Sequence, residues 1–599
     1  MCGIVGYVGE SNALPIVASG LKNLEYRGYD SAGVALSTDG RLDVFKSEGE
    51  IDDLELPESH PSTCGIGHTR WSTHGEPSDA NSHPHTDCTG DISVVHNGII
   101  DNYEALKNEL SDHEFTSETD TEVVPHLLEE TYDGDDLVSA VEHVVAQLDG
   151  SFALAVTAAD HDGIVAARRD SPLVLGFCDD GNFVASDVTA FLEHTREVAF
   201  LEDGDVAALT DDSVTVRSAG ERVERERQTV DWEADSAEKA GYEHYMLKEI
   251  HEQPQALRQT ISGRLDVVNG EVDLELDLPE QYLQSVEEIQ IVACGTSYHA
   301  GLYARRLLEE HADVRTSVEI ASEYEFTGGR DPWRTLVVAV SQSGETADTL
   351  RAMRTASAAG ARTLALTNTV GSTAAREADD VVYIRAGPEI GVAATKTFAA
   401  QVTTLALLTV EVGRTRGALS GDRASTLLEN VRGIPGAIQQ VLDADESIRD
   451  VAREYADSDA FFFIGRKLGM PVSLEGALKL KEISYLHAEG FAGGELKHGT
   501  LALVTEDTPV LAVLTDGANA SETLRNVKEV ESRGAPVVGA SSLENAESFL
   551  DASFTVPELG GLEPLVANVY LQLFAYHVAD ELGRNIDKPR NLAKSVTVE

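Results

Sequence analysis

Apolar positions in the first 230 residues fall in short runs, among them Ile4-Val5-Gly6-Tyr7-Val8, Ile92-Ser93-Val94-Val95 and Phe152-Ala153-Leu154-Ala155-Val156. Glycine and asparagine turns separate these runs, and few helical patches lie between them. Many strands with few crossover helices predict antiparallel sheets in a layered α+β domain. Over residues 231–244 the pattern lapses into the polar, turn-rich stretch DWEADSAEKAGYEH, which reads as a linker, and an amphipathic helix begins near Tyr245. From Ile289 onward the rhythm becomes a buried apolar strand, a glycine or hydroxyl turn, then a long helix. That alternation predicts doubly wound α/β domains with parallel sheets.

The α/β pattern occurs twice. Ile289–Ala293 followed by CGTSYHAGLYARRLL corresponds to Ala460–Ile464 followed by GRKLGMPVSLEGALKLKEI. LVVAVSQSGETADTLRAM likewise corresponds to PVLAVLTDGANASETLRNV. The expected division is therefore 1–230, a linker over 231–244, a first α/β domain with leading helices over 245–430, a second over 431–588, and a tail over 589–599. A helical connection is expected near 425–455.

Composition narrows the setting. A chain of 599 residues is too long for a single core. Lys and Arg number 46 against 103 Asp and Glu, a formal charge of −57, and this charge repels nucleic acid. Hydrophobic residues make up 42 %, enough to build cores, so the acidity describes a surface suited to concentrated salt and not a disordered chain. The five cysteines, Cys2, Cys64, Cys88, Cys178 and Cys294, form no CxxC pair, which fits a reducing cytoplasm without disulfides. No basic leader and no long apolar run is present, so no membrane span is expected.

Two places carry chemistry on their own residues. Removal of Met1 would leave Cys2 with a free α-amine, a base beside a thiol, and so a self-contained nucleophile. In the first α/β copy, strand Leu336–Val340 ends in Ser341-Gln342-Ser343-Gly344-Glu345-Thr346 before a helix. Backbone N–H groups at that helix start, with three hydroxyls, make an anion cradle. The second copy has Thr515-Asp516-Gly517 there, and a carboxylate repels phosphate, so only the first copy is expected to bind it. His68, His74, His83, His85 and Cys88 crowd one stretch without regular ligand spacing; no metal is expected, and these histidines are expected in a loop over a pocket.

Met1-Cys2-Gly3-Ile4-Val5-Gly6, Tyr26-Arg27-Gly28-Tyr29-Asp30-Ser31-Ala32-Gly33, the block His68 to Gly75, His96-Asn97-Gly98 and Glu118-Thr119-Asp120 resemble, in order, the glutaminase domain of class II amidotransferases, the N-terminal-nucleophile kind. The resemblance implies Cys2 as nucleophile and Asn97 with Gly98 as the oxyanion hole. It implies Arg70, Thr73, His74 and Asp120 as glutamine contacts, and Trp71 as the gate of an ammonia channel. The second half resembles paired sugar isomerase (SIS) domains. Together they imply conversion of fructose 6-phosphate and glutamine to glucosamine 6-phosphate and glutamate, the entry to hexosamine synthesis, with no cofactor and with a homodimer formed through the SIS half.

The same resemblance puts the sugar phosphate on Ser341, Gln342, Ser343 and Thr346, with Thr296 and Ser297 lining the site and the backbone of Val392 and Ala393 touching the sugar. It implies Glu482 as the base that moves a proton between C1 and C2, with Lys479 on the same helix face. His498 is implied in ring opening and Lys594 as the Schiff-base lysine. Ala394, Gly493 and Thr500 depart from residues common in that family.

Overall fold

In a computed structural model of the chain the described residues are 2–25, 28–38, 40–71, 76–230, 239, 241–276, 278–327, 331–543 and 546–597, with Asp516 described by its backbone alone. They form two compact units, Met1–Ala237 with Ala593–Glu599, and Glu238–Leu592. Most of the expected linker, 231–238 and 240, lies outside the described residues.

Among the described residues, the first unit holds an eight-stranded and a seven-stranded sheet. In the first, Gly3–Gly9 lies between Gly181–Ala185 and Cys64–Arg70, all antiparallel. In the second, Ile92–Ile100 lies between His85–Thr86 and Gly150–Ala158, again antiparallel. Strand periodicity explains the layering. Along Gly3–Gly9, Ile4 and Val8 point into one core with Val95, Ala153, Ala155 and Ala166 of the other sheet. Val5 and Tyr7 point the opposite way, onto Leu14, Val17 and Leu21 of helix Ala13–Leu24. On the second sheet, Val94, Leu154, Val156 and Val165 face a third core shared with Val124, Leu128 and Val141 of helices Val123–Thr131 and Leu137–Val145. The result is helix, sheet, sheet, helix.

The second unit contains two parallel five-stranded sheets of one topology. In the first, Glu288–Ala293 is flanked by Arg315–Ile320 and Thr335–Ser341, followed by Arg362–Thr367 and Asp380–Tyr383. The second repeats this with Ala460–Gly465 between His487–Ala492 and Val510–Leu514, then Val537–Ser541 and Ala552–Thr555. Both copies share one apolar core running from Met246 to Ile586. That shared core is why the two sequence repeats make a single compact unit. Helix Glu563–Glu581 is buried from Glu563 to Ala579, apolar on every side as a helix in the middle of a core must be. The amphipathic helix expected near Tyr245 spans Tyr245–Ile261, and helices Gly421–Leu442 and Asp445–Tyr455 form the expected connection. No described helix is long and apolar enough to cross a membrane.

Candidate active sites

The first centre is built where strand Gly3–Gly9 begins. Gly3 pairs with Thr69, so Cys2 sits at the mouth of strand Cys64–Arg70, where Trp71 follows. The Cys2 thiol lies 3.3 Å from the Trp71 N–H, which donates to it, and 3.5 Å from the Trp71 carbonyl. The neighbouring strand Ile92–Ile100 brings the Asn97 side chain in, and its amide Nδ2 donates to the Cys2 carbonyl at 2.9 Å. The other end of that amide, Oδ1, accepts from His68 Nε2 at 3.1 Å, and the His96 carbonyl takes the same N–H at 2.9 Å. Both partners of Nε2 are acceptors, so the ring carries its proton there. Burial, aided by Arg70, lowers the His68 pKa to about 3, so the ring is neutral. A neutral imidazole thus holds the Asn97 amide with its N–H groups toward Cys2.

Gly98 follows with φ +132°, and a Cβ there would fall 2.0 Å from the Ser151 carbonyl oxygen. Only glycine fits, and its N–H lies next to the Asn97 amide in sequence. Arg70 is buried; burial lowers its pKa, with Cys2, Asp30 and Asp120 acting the other way. Asp120 is also buried and accepts the Ile100 N–H at 2.8 Å. Trp71 meets the Tyr29 ring edge-on at 5.6 Å between centroids. Met1, Tyr26, Arg27, Thr73 and His74 lie outside the described residues.

The expectation that the histidines sit in a loop is corrected for His68 and His85, whereas His83 lies in a bend between strands. His68 is in strand Cys64–Arg70, His85 is in strand His85–Thr86, and both are buried with His83, whose ring stacks on His68 at 4.2 Å. The pKa values of His83 and His85 are pushed well below the ordinary value by burial and by neighbouring imidazoles and cations. The sign of the pH dependence follows. Below about 6.5 the unfolded chain protonates these rings and the folded unit does not, so the unfolded state binds more protons and stability is lost as the pH drops, at up to about 1.4 kcal/mol per pH unit for a single ring. Hydrogen exchange of the Cys64–Arg70 amides, corrected for its intrinsic pH dependence, is expected to lose protection between about pH 7 and about pH 5. Constant protection would refute this.

The second centre lies in the second unit. Helix Gly469–Ser484 presents Glu475, Lys479 and Glu482 on one face, at helical spacing. Lys479 Nζ is 2.7 Å from Glu482 Oε2 and 3.4 Å from Glu475 Oε1, and donates to Thr296 Oγ1 at 3.1 Å. Glu475 accepts the Thr296 hydroxyl at 3.0 Å and lies 2.8 Å from His299 Nδ1. The side chains of Lys479 and Glu475 are 1 % and 0 % exposed and that of Glu482 is 20 % exposed, so this is a buried charge cluster and not a solvated helix pair. Burial alone would lower the Lys479 pKa. The Glu475 and Glu482 carboxylates outweigh it and hold the ammonium above its ordinary pKa. Burial would raise the Glu475 pKa, but Lys479, His299 and Thr296 bring it below normal.

Thr296 belongs to helix Gly295–Leu307, which starts at the end of strand Glu288–Ala293. On the adjacent strand Thr335–Ser341, the Ser341 hydroxyl accepts the Gly344 N–H and lies 3.0 Å from Thr346 Oγ1, and Ser343 Oγ accepts the Glu345 N–H. Helix Ala347–Ala358 then begins with no side-chain cap. Neighbouring strands of the sheet lead to these two turns from either side of the point where strand order reverses, the crevice in which open α/β sheets bind ligands. Gly344 has φ +67°, and a Cβ there would lie 2.1 Å from Ser372 Oγ. Ser297 Oγ accepts from Gln401 at 3.0 Å. Gln342, Ser343 and Thr346 are half-buried at the turn's surface.

The loop Gly391–Lys396 is mostly buried and braced by two carboxylates: Glu249 takes the Gly391 N–H, and Glu389 takes the N–H groups of Thr395 and Thr397. The Val392 N–H is bonded to the Asp587 carbonyl and is therefore already occupied. In the second copy the backbone at Gly517 is packed where a Cβ would sit 2.1 Å from the Gly561 carbonyl oxygen; the Asp516 side chain lies outside the described part. His498 ends the short helical segment Gly493–His498 and is exposed, and among the described residues it makes no hydrogen bond or ion pair with the Lys479 cluster. Lys594 is half-buried within the stretch Ala593–Glu599 that belongs to the first unit. Glu475 and His299 were not anticipated from the sequence, although charged residues at 475, 479 and 482 fall on one face of a largely apolar helix and mark a stripe that has to be explained.

Fold and sites define a glutamine amidotransferase joined to a pair of sugar isomerase domains. A glutamine amidotransferase domain model matches residues 68–193, and an SIS domain model matches 282–411 and 454–579. The glutamine–fructose-6-phosphate aminotransferase (isomerizing) of Halobacterium salinarum is 62 % identical over 601 residues, covering all of both chains. That of Thermus thermophilus is 48 % identical over 611 residues, again covering both completely. Among solved structures, the C-terminal domain of glucosamine-fructose-6-phosphate aminotransferase from Francisella tularensis covers 59 % of the chain and all of its own, at 38 % identity and a TM-score of 0.55. The chain belongs to the glutamine–fructose-6-phosphate aminotransferase (isomerizing) family.

Proposed function

We propose that the chain converts glutamine and fructose 6-phosphate to glutamate and glucosamine 6-phosphate, supplying amino sugar to hexosamine synthesis. In the first unit, Cys2, freed of Met1, attacks the glutamine side-chain carbonyl. Its proton passes to the α-amine and on to the leaving nitrogen. The tetrahedral oxyanion is met by the Asn97 amide, which His68 holds, and by the Gly98 N–H. Arg70 and Asp120 take the substrate α-carboxylate and α-ammonium, with Thr73 and His74 completing the pocket. Ammonia leaves, water releases glutamate from the thioester, and Trp71 gates the passage of ammonia.

In the second unit, the turn Ser341–Thr346 with Thr296 and Ser297 holds the sugar phosphate, and the Val392 and Ala393 backbone holds the sugar. The family resemblance assigns ring opening to His498 and gives the tail residue Lys594 the imine with the open ketose, formed with loss of water. Ammonia replaces the lysine, and Glu482 carries a proton from C1 to C2 to give the aldose amine. Lys479 is bonded to Glu482 and to Thr296, one of the residues proposed to line the phosphate site. This is the observation that carries the reading: the proposed proton carrier and the proposed phosphate seat share one buried lysine. The family resemblance supports a cytoplasmic homodimer formed through this unit.

The test is incubation of the purified chain, in concentrated salt, with both substrates. Glutamate and glucosamine 6-phosphate are expected in equal amounts. Glutamate alone would assign a different nitrogen acceptor, and neither product would refute the reading.

A further inference from the structure

The first unit holds a second cluster, on its helical side, in which residues distant in sequence converge. Cys88 lies in the turn between strands His85–Thr86 and Ile92–Ile100. His113 follows helix Tyr103–Glu109, and His126 and Glu129 lie three residues apart on helix Val123–Thr131. One donor atom from each falls within 4.8 Å of all the others. Cys88 Sγ is 3.5 Å from His113 Nδ1 and 3.6 Å from His126 Nδ1. Glu129 Oε2 is 3.0 Å from His113 Nδ1 and 3.4 Å from His126 Nδ1.

We propose that Cys88, His113, His126 and Glu129 form a tetrahedral zinc site. The edges of such a site follow from its bond lengths: zinc at about 2.3 Å from sulfur and about 2.0–2.1 Å from nitrogen or oxygen puts sulfur about 3.6 Å from nitrogen, and nitrogen about 3.4 Å from oxygen. The four separations match those edges to within a few tenths of an ångström. Thiolate and imidazole donors favour zinc over magnesium or calcium. One thiolate and one carboxylate also neutralise a divalent ion, which suits a site whose His126 side chain is 1 % and His113 side chain 11 % exposed. The thiol proton is released to solvent as zinc binds.

The backbone around the ligands is already pinned. Asp87 fixes the cysteine turn by accepting the N–H groups of Thr89 and Ile92, and Glu122 fixes the segment after His113 by accepting those of Thr116 and Ser117. Glu130 lies 3.3 Å from His113 Nε2, the outer carboxylate that holds a ligating histidine by its far nitrogen and turns Nδ1 to the ion. The site would clamp the Cys88 turn and the chain around His113 to helix Val123–Thr131, just past Asp120. Zinc there is a structural staple outside the reacting groups.

The experiment uses the full chain carrying Cys2→Ala, so that the nucleophile cannot capture metal, stripped with chelator and reloaded with zinc or cobalt(II) alone. Roughly one zinc per chain is expected to survive gel filtration, and cobalt is expected to give a thiolate charge-transfer band in the near ultraviolet with intense tetrahedral visible bands. Adding Cys88→Ser, at an exposed position, should abolish the charge-transfer band and weaken zinc affinity by at least about tenfold, and Glu130→Gln should weaken it by about ten- to a hundredfold while keeping the band. Equal zinc retention with and without Cys88→Ser, or a cobalt complex with no thiolate band, would overturn the assignment.

Discussion

Cys2→Ala is expected to abolish release of glutamate from glutamine, a loss on the order of 10⁴-fold or more, while fructose 6-phosphate binding measured by calorimetry stays unchanged. The asymmetry follows from the architecture: Cys2 opens a strand of the first unit, and the groups proposed for the sugar phosphate lie in the second. A companion variant separates nucleophile from oxyanion hole. Asn97→Ala keeps the thiol but removes the amide aimed by His68, and is expected to lower turnover by about 10²–10³-fold, with the rate of Cys2 alkylation by iodoacetamide largely kept. Glutamate turnover surviving in Cys2→Ala would remove Cys2 from the mechanism. Asn97→Ala turnover within a factor of a few of the parent would remove the side-chain half of the oxyanion hole.

Periodicity carried the fold well, because each element obeys its own period. Alternation along Gly3–Gly9 sends Ile4 and Val8 one way and Val5 and Tyr7 the other, and the continuous apolar run Leu336–Val340 belongs to a strand buried on both faces. The repeat was legible because two copies of one topology must place glycine and hydroxyl turns after the same strands. What was not legible is what depends on distance between elements. The histidine-rich stretch suggested a loop, since a run of polar rings has no apolar period. In the structure the strand residue His68 stacks on His83, which lies just before strand His85–Thr86, and this buried stack is affordable only because each ring stays neutral. The ligands of the proposed zinc site are spread over residues 88 to 129 with no motif spacing, so only the packing of a turn against a helix brings them together. Glu475 is a similar case: its partners Thr296 and His299 come from the other copy of the repeat.

Lys479→Ala is expected to be the most damaging single change in the second unit. It removes the ammonium that lies 3.4 Å from the Glu475 carboxylate and 2.7 Å from that of Glu482, and leaves a cavity. Breaking a buried ion pair from one side costs about 3–5 kcal/mol, because the fully buried Glu475 carboxylate loses the ammonium that compensates its charge and keeps only the Thr296 hydroxyl and the His299 ring beside it. Amino-sugar formation is expected to vanish with it, since the Glu482 carboxylate then loses the group that holds it toward the Thr296 turn, while glutamate release in the first unit continues. Loss of product through unfolding and loss through chemistry are separable with Glu475→Gln combined with Lys479→Met, which removes a buried negative and a buried positive charge together at similar volume. Removing both partners of a buried pair is often neutral, so denaturation by urea, followed in the second unit by hydrogen exchange, should show most of the lost stability restored. Activity should not return, because neither methionine nor glutamine can supply an ammonium to Glu482. A stable double variant that makes glucosamine 6-phosphate at the parent rate would reduce Lys479 to a structural brace, and the proton-transfer chemistry would then have to rest on Glu482 alone.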